Sequence, residues 1–314
     1  MSWDITHNMS NSSAFIYSML LLIQVLFGIN FFTSKVIVGV MDPILWSNLR
    51  FFIAGVLMLL VTLATGRKHP KVDKEFLYAL VPLSALGMAL GQGLFLFGLK
   101  HTSSVNTAVL TTTIPILTLV IVVARKQEEL TMKKLVGFGL AFLGVVLIRD
   151  LSKASFESSS FFGDLMVFMG AMCFALYLSF GKGFLRKYDN LWITTYMFLT
   201  SAALMAVFNA SKIFTFLSNL QSSPGLESYS TLFVTCVLYT IIGATLLTYF
   251  LNNLVLAKAP PAHVALSIYF QPVVAGVFGW WFLDESIGAR TIFCSFLIMM
   301  GLVVSIYPGA KKSF

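Results

Sequence analysis

Charge is what this sequence has least of. Asp, Glu, Lys and Arg make up 11% of its 314 residues, against 58% hydrophobic ones; a soluble globular domain carries about 25% charged residues. A mean hydropathy of +0.87 points the same way, so a water-soluble domain is excluded and a membrane protein is indicated. Cysteine is also scarce. Cys173, Cys236 and Cys294 all fall inside apolar runs, which excludes a disulfide framework and leaves them as small packing residues. Of the 13 carboxylates none sits at mid-bilayer; Asp42, Asp164, Asp189 and Asp284 fall at the ends of apolar runs or in loops. A buried acidic relay of the kind many ion-coupled carriers use is therefore missing, as is a buried anion to receive a cationic drug. There is no phosphate-binding glycine loop, no metal-ligand cluster and no nucleophile–base constellation. The chain is read as a non-enzyme with no cofactor and no metal. Its first residues are polar and lack a basic n-region, so no cleaved signal peptide is expected.

Long apolar runs are what the sequence has in abundance. Ten of them, at 14–38, 43–65, 76–97, 104–124, 132–149, 162–184, 190–209, 229–252, 260–282 and 287–307, approach or match the roughly 17–25 residues of a bilayer-spanning helix. They are too long and too uniformly apolar for barrel strands, and a helix satisfies its own backbone groups in lipid. An all-α, polytopic membrane protein with ten transmembrane helices is expected. The net charge of +8 sets orientation rather than recruiting nucleic acid. With the amino terminus inside, the inner loops hold Arg67, Lys68, Lys71, Lys74, Arg125, Lys126, Lys133, Lys134, Arg186, Lys187, Lys258, Lys311 and Lys312. The outer loops hold only Lys100, Arg149, Lys153, Lys212 and Arg290. By the positive-inside rule both termini are expected in the cytoplasm.

The runs are organised as a repeat. Laid without a gap, Ala108/Ala265, Pro115/Pro272, Val120/Val277, Glu128/Glu285, Leu140/Leu297, Gly144/Gly301 and Val146/Val303 coincide. Upstream, in a register shifted by the polar stretch 211–228, Phe27/Phe174, Lys35/Lys182, Asp42/Asp189 and Phe51/Phe198 coincide too. The chain thus divides into halves at 1–150 and 151–314. Five helices in each half is an odd number, so the second half enters the bilayer from the opposite side. The result is an inverted 5+5 repeat, an arrangement that many secondary transporters use for alternating access.

Polar residues inside the runs are few enough to consider singly. Gln24 near mid-bilayer should point inward, either fixing helix packing through an interhelical hydrogen bond or meeting a solute. Arg50 could anchor a carboxylate or phosphate. The reading as a snorkelling or structurally paired arginine is preferred, because its repeat mate is Met197. In the third run Gly87 and Gly91 form a small-xxx-small pair around Gln92. Asn252 and Asn253 lie close to the inner end of the eighth run. Pro115 and Pro272 each remove a helix hydrogen bond and loosen the fourth and ninth runs. Thr111, Thr112 and Thr113 adjoin the first proline, and Tyr269 and Gln271 the second; this paired polarity favours a solute path over simple repair of freed carbonyls. Glu128 and Glu285 read as interfacial salt-bridge residues. The fifth and tenth runs, each with one matched glycine, read as peripheral packing or dimer-interface helices.

The series GLKHTSS, an apolar run with Pro115, Glu128-Glu129-Leu130 and a closing GFGLAFLGVVLI is echoed by LAKAPPAHVALSIYFQPVVAG, LDESI and MMGLVVS. It resembles the EamA domain of the drug/metabolite transporter superfamily over nearly the whole chain. The resemblance implies a central cavity lined by helices 1, 3, 4, 6, 8 and 9. On matching positions it implies Gln24, Asn30, Gln92, Thr112, Tyr177, Tyr249, Tyr269 and Gln271 as substrate contacts, with Asn30/Tyr177, Gln92/Tyr249 and Thr112/Tyr269 as repeat mates. One departure is Pro260-Pro261 where the first half has Ser103-Ser104, which stiffens the start of the ninth helix.

The function expected is secondary transport of a small polar or amphipathic metabolite, an amino acid or related compound, across a bacterial type of plasma membrane. Export is favoured by the resemblance. Its partners would be the solute, the lipid bilayer and a second copy meeting through helices 5 and 10; no nucleic acid is expected. Competing readings are an integral-membrane enzyme acting on lipid and a non-transporting scaffold. The first would need acid–base or metal groups near one interface, and the second has no need of a symmetric polar core.

Overall fold

The computed structural model describes residues 13–102, 107, 110–148, 158–218, 230–271, 273–274 and 289–306. Pro272, Glu285 and the far part of the ninth run lie outside the described residues. Among the described residues every regular element is helical. In chain order they are α1 (Ser13–Val38), α2 (Pro43–Ala64), α3 (Lys74 to His101), α4 (Thr113–Ala124), α5 (Met132–Ile148), α6 (Ser158–Lys187), α7 (Asn190–Ser218), α8 (Thr231 to Lys258), α9 (Pro261–Leu266, tightening to 3₁₀ at Ser267–Phe270) and α10 (Ala289–Ile306). Six of them, α1, α2, α3, α6, α7 and α8, are long and apolar enough to cross a membrane, and shorter apolar helices occupy 113–124, 261–270 and 292–305. Large apolar side chains such as Phe208, Phe214 and Val207 face outward, as lipid permits and water does not. The protein is a multi-pass membrane protein.

Close contacts between helices depend on glycine. In lipid, apolar side chains gain little from leaving their solvent, so association relies on backbones approaching closely over small residues. On α5 and α10, a Cβ at Gly137 would meet the Gly301 carbonyl at 2.7 Å, and one at Gly144 the Cys294 carbonyl at 2.9 Å. On α3 and α6, a Cβ at Gly98 would meet the Gly163 carbonyl at 2.7 Å, and one at Gly170 the Gly91 carbonyl at 2.8 Å. In both pairs the contact runs backward along one helix as it runs forward along the other, so each pair is antiparallel.

The repeat mates Asp42 and Asp189 do the same work at opposite ends of the α2–α7 pair. Asp42 caps α2 by accepting from the Ile44 and Leu45 N–H groups, and pairs with Lys212 of α7 at 2.7 Å. Asp189 caps α7 by accepting from the Leu191 and Trp192 N–H groups, and pairs with Arg67 beyond the end of α2 at 3.2 Å. An Asp at the N-cap satisfies N–H groups that the helix itself leaves open. Burial alone would raise the Asp42 carboxyl, but hydrogen bonds from Lys212 and the two backbone N–H groups hold it below the ordinary carboxylate value.

Glu128, just past α4, ties both halves. Its carboxylate accepts from the Ala262 N–H in the first turn of α9 at 3.0 Å and pairs with Lys134 of α5 at 2.8 Å. The fifth and tenth helices pack on each other within one chain, with Gly137, Gly144 and Gly301 in the contact.

Candidate functional site

Three of the helices are irregular, and the irregularities fall where the repeat relates them. α3 widens to a π-helix at Ala85–Leu90, and α8 does so at Thr240–Leu247. These positions coincide in the register that pairs Gln92 with Tyr249. A π segment leaves carbonyls without their usual partner; in α8 the Thr245 and Thr248 hydroxyls donate to the Thr240 and Gly243 carbonyls, both at 2.7 Å. α9 tightens to 3₁₀ at Ser267–Phe270, and its mate region has a turn at Thr112 immediately before α4. Pro115 falls in the first turn of α4, where its missing N–H is one the helix leaves open anyway. The Thr113 hydroxyl donates to the Leu110 carbonyl at 2.6 Å. The expected loosening is thus a restart of the helix at Thr113 rather than a mid-helix kink.

A cavity lies among these segments. Its polar lining is Gln24, Asn30, Gln92, Thr111, Asn252 and Gln271, and its apolar lining includes Phe27, Phe31, Phe95, Ile114, Phe174 and Leu178. Gln24 of α1 donates to the Ser267 hydroxyl at 2.8 Å and accepts from Gln271 at 2.7 Å, clamping the 3₁₀ turn of α9. Asn30 accepts from the Ser34 hydroxyl at 3.2 Å. The cavity volume of about 70 Å³ admits a few waters, whereas a pocket that encloses a drug-sized ligand has about 300–1,000 Å³.

Of the residues expected at the site, Gln24, Asn30, Gln92 and Gln271 line this cavity, and Thr112, Tyr177, Tyr249 and Tyr269 do not. Thr111, not Thr112, faces it, because the turn at Thr112 redirects the chain. Tyr177 is fully buried behind the wall, donating to Asn253 and receiving from Asn252 at 3.4 Å. Its ring rests where a Cβ on Gly87 would sit, 2.7 Å away, so Gly87 makes room for a tyrosine rather than for a helix backbone. Tyr249 is fully buried among Phe27, Phe51 and Phe198, with its hydroxyl 3.5 Å from the Gly87 carbonyl. Tyr269 turns toward α5, against Phe142, and its hydroxyl has no partner.

Arg50 is structurally paired, one of the two readings preferred for it from sequence, but its partner is neutral. It is 1% exposed and lies in the first half of α2. One nitrogen donates to the Gln92 amide oxygen at 2.8 Å, and its guanidinium lies 4.9 Å from the Phe51 ring centre. Nε and the other terminal nitrogen have no hydrogen-bond partner among the described residues. No carboxylate among the described residues pairs with it. A buried charge without a counter-charge costs several kcal/mol, and arginine cannot escape by losing its proton. The mate Met197 is itself wholly buried, so the position is interior in both halves, and an apolar mate was no guide to a lipid-facing one. Asn252 was missed for a simpler reason. α8 runs on to Lys258, which places Asn252 well inside the helix rather than at its end.

The sequence profile of the EamA-like transporter family matches this chain twice, over residues 14–149 and 161–307. The chain is similar to the uncharacterized transporter YoaV of Bacillus subtilis (strain 168), 26% identical over 92% of this chain and 96% of that one. It is likewise similar to an uncharacterized transporter of Archaeoglobus fulgidus, 27% identical over 88% of this chain and 93% of that one. Among solved structures, a crystal structure of a protein 16% identical superposes with a TM-score of 0.72, covering 93% of this chain and 95% of that chain. That likeness concerns the fold alone.

Proposed function

The chain belongs to the EamA-like transporter family, and from that premise we propose that it is a secondary carrier of a small polar or amphipathic metabolite, an amino acid or related compound. The observation that carries this reading is the small cavity, polar on one part of its wall and aromatic on another, bordered by irregular helices from both sequence halves. Amides and a hydroxyl suit a neutral or zwitterionic head, and the phenylalanines suit apolar bulk. Gln24, Asn30, Gln92 and Gln271 are proposed as contacts of the bound solute. Tyr177, Tyr249, Thr112 and Tyr269 back them and come into reach as the wall opens.

Movement is proposed to be alternating access by an inverted 5+5 repeat of ten helices, residues 1–150 against 151–314. The antiparallel run of the mates α2/α7 and α5/α10 supports this, as do the matching π segments of α3 and α8. The proposed setting is the plasma membrane with both termini in the cytoplasm, and the proposed direction is export. A homodimer through α5 and α10 would have to use their outward faces, such as Leu143 and Phe296, which are exposed. No enzymatic role is proposed.

The test is uptake and efflux in proteoliposomes against amino acids, nucleosides and S-adenosylmethionine, with and without a pH gradient, for the parent, Gln92→Ala and Tyr249→Phe. Saturable flux of one solute, reduced by both substitutions, is expected. Folded protein that moves none of them would count against the reading.

A further inference from the structure

The residue this reading leaves unused is Arg50. It is buried to 1% exposure, permanently charged, and left with Nε and one terminal nitrogen without a hydrogen-bond partner among the described residues. Its one polar partner is the Gln92 amide oxygen, at 2.8 Å, and Gln92 belongs to the cavity wall. The guanidinium therefore stands one side chain behind the cavity, joined to it through a neutral acceptor. Among the described residues the lining includes no lysine, no arginine and no carboxylate, and Arg50 brings one full positive charge to the wall through its hydrogen bond to Gln92.

Resting on the carrier reading above, we propose that Arg50 is the anchor for a carboxylate of the transported solute, with Gln92 holding its place while the site is empty. A carboxylate entering at Gln92 would take over the hydrogen bond now made by the amide oxygen. It would also reach the nitrogens that lack partners, in the two-pronged geometry that guanidinium and carboxylate share. One fixed positive charge matches one negative charge, so a monocarboxylate fits and a phosphate monoester, with its second charge, fits poorly. The aromatic wall of Phe27, Phe31 and Phe95 then takes the rest of the solute. A guanidinium paired only with a neutral amide is also an acceptable resting state, because the amide is readily exchanged for a charged partner.

The test compares leucine and phenylalanine with their carboxamides, leucinamide and phenylalaninamide, as solutes for the reconstituted full chain. The parent is expected to move the acids with at least about thirtyfold preference, the scale of losing one buried charged partner. Arg50→Gln should bring that preference close to one, and Arg50→Lys should restore part of it. Should Arg50→Gln fail to fold, Gln92→Glu serves instead. It sets a carboxylate against Arg50 from within the protein, so the folded form should melt at a higher temperature while acid flux falls more steeply than amide flux. Equal flux of acid and amide by the parent, or a preference that survives Arg50→Gln or Gln92→Glu, would overturn the anchor and leave the carrier standing. Folded protein with no saturable flux of any of the four solutes would remove the carrier reading for this solute class, and the anchor with it.

Discussion

The α5–α10 pair and the α3–α8 pair are built from the same apolar alphabet and come out as opposites. α5 and α10 are regular, and their facing surfaces are closed by Gly137, Gly144 and Gly301 to backbone contact distance. α3 and α8 each break into a π segment and border a cavity with amides and a buried arginine close behind. A helix contact made through glycines has one close-packed arrangement and resists change. A helix with a π segment already carries misfitted hydrogen bonds that can be remade elsewhere along its length. The first pair reads as a fixed strut. The second reads as the part that rearranges, with α3 carrying α6, to which its own glycines close it.

The comparison breaks most directly at the strut. At Gly301 a Cβ would meet the Gly137 carbonyl and the Ala141 N, both at 2.6 Å. Gly301→Leu should therefore cost about 3 kcal/mol or more, read as lost folded yield and a lower melting temperature in detergent. Next comes Glu128→Ala, which takes the ion pair from Lys134, leaving it the Glu129 carbonyl, and removes the acceptor of the Ala262 N–H. A loss of about 2 kcal/mol is expected, with α9 released from α4 and α5 and faster amide hydrogen exchange in its first turn. Gln24→Ala sharpens the contrast, since it removes the bonds to Ser267 and Gln271. It should cost only about 1 kcal/mol yet reduce flux, because it acts on the moving side.

The Asp42 cap is a smaller matter. Its carboxyl titrates below the ordinary value, so its contribution is complete above about pH 4 and is lost as pH falls through the lowered value. Asp42→Ala should cost about 1 kcal/mol at neutral pH, and the difference from the parent should vanish in strong acid. Smallest of all is Gly139→Ala. Gly139 lies on α5 but faces open space, with nothing within 4 Å of a built Cβ. The substitution should stabilise by about 0.5 kcal/mol, and a loss instead would mean that the strut extends beyond Gly137 and Gly144.

The all-helical character and the six long apolar helices were legible from hydropathy alone, because lipid forces long apolar runs to be helical. The paired caps at Asp42 and Asp189 were visible as a repeat match, though not as caps. At the site, Gln24 could be read as inward because an amide facing lipid is costly, whereas Asn30, Gln92 and Gln271 were implied by the family resemblance. The tyrosines could not be placed. A tyrosine is content either at a cavity or behind it, and the choice depended on where Gly87 leaves room for Tyr177 and how the turn at Thr112 rotates its neighbours. Arg50 was discounted through its mate Met197; pairing by repeat carries information about depth and burial, not about charge. The π segments had no signature at all in composition, since Ala-Leu-Gly-Met-Ala-Leu reads as ordinary helix.

The central claim is that the cavity between the halves opens to water and takes the solute. It is tested by single cysteines at Thr111 and Asn252, one from each half, in a chain whose own Cys173, Cys236 and Cys294 are replaced by alanine. Labelling by a membrane-impermeant maleimide in proteoliposomes is the readout, with Ile298→Cys, buried between α5 and α10, as the control. Both lining positions should react, more slowly in the presence of the transported solute, while the control stays unlabelled. Lining cysteines that never react, or that react at a rate the solute does not change, would contradict the account.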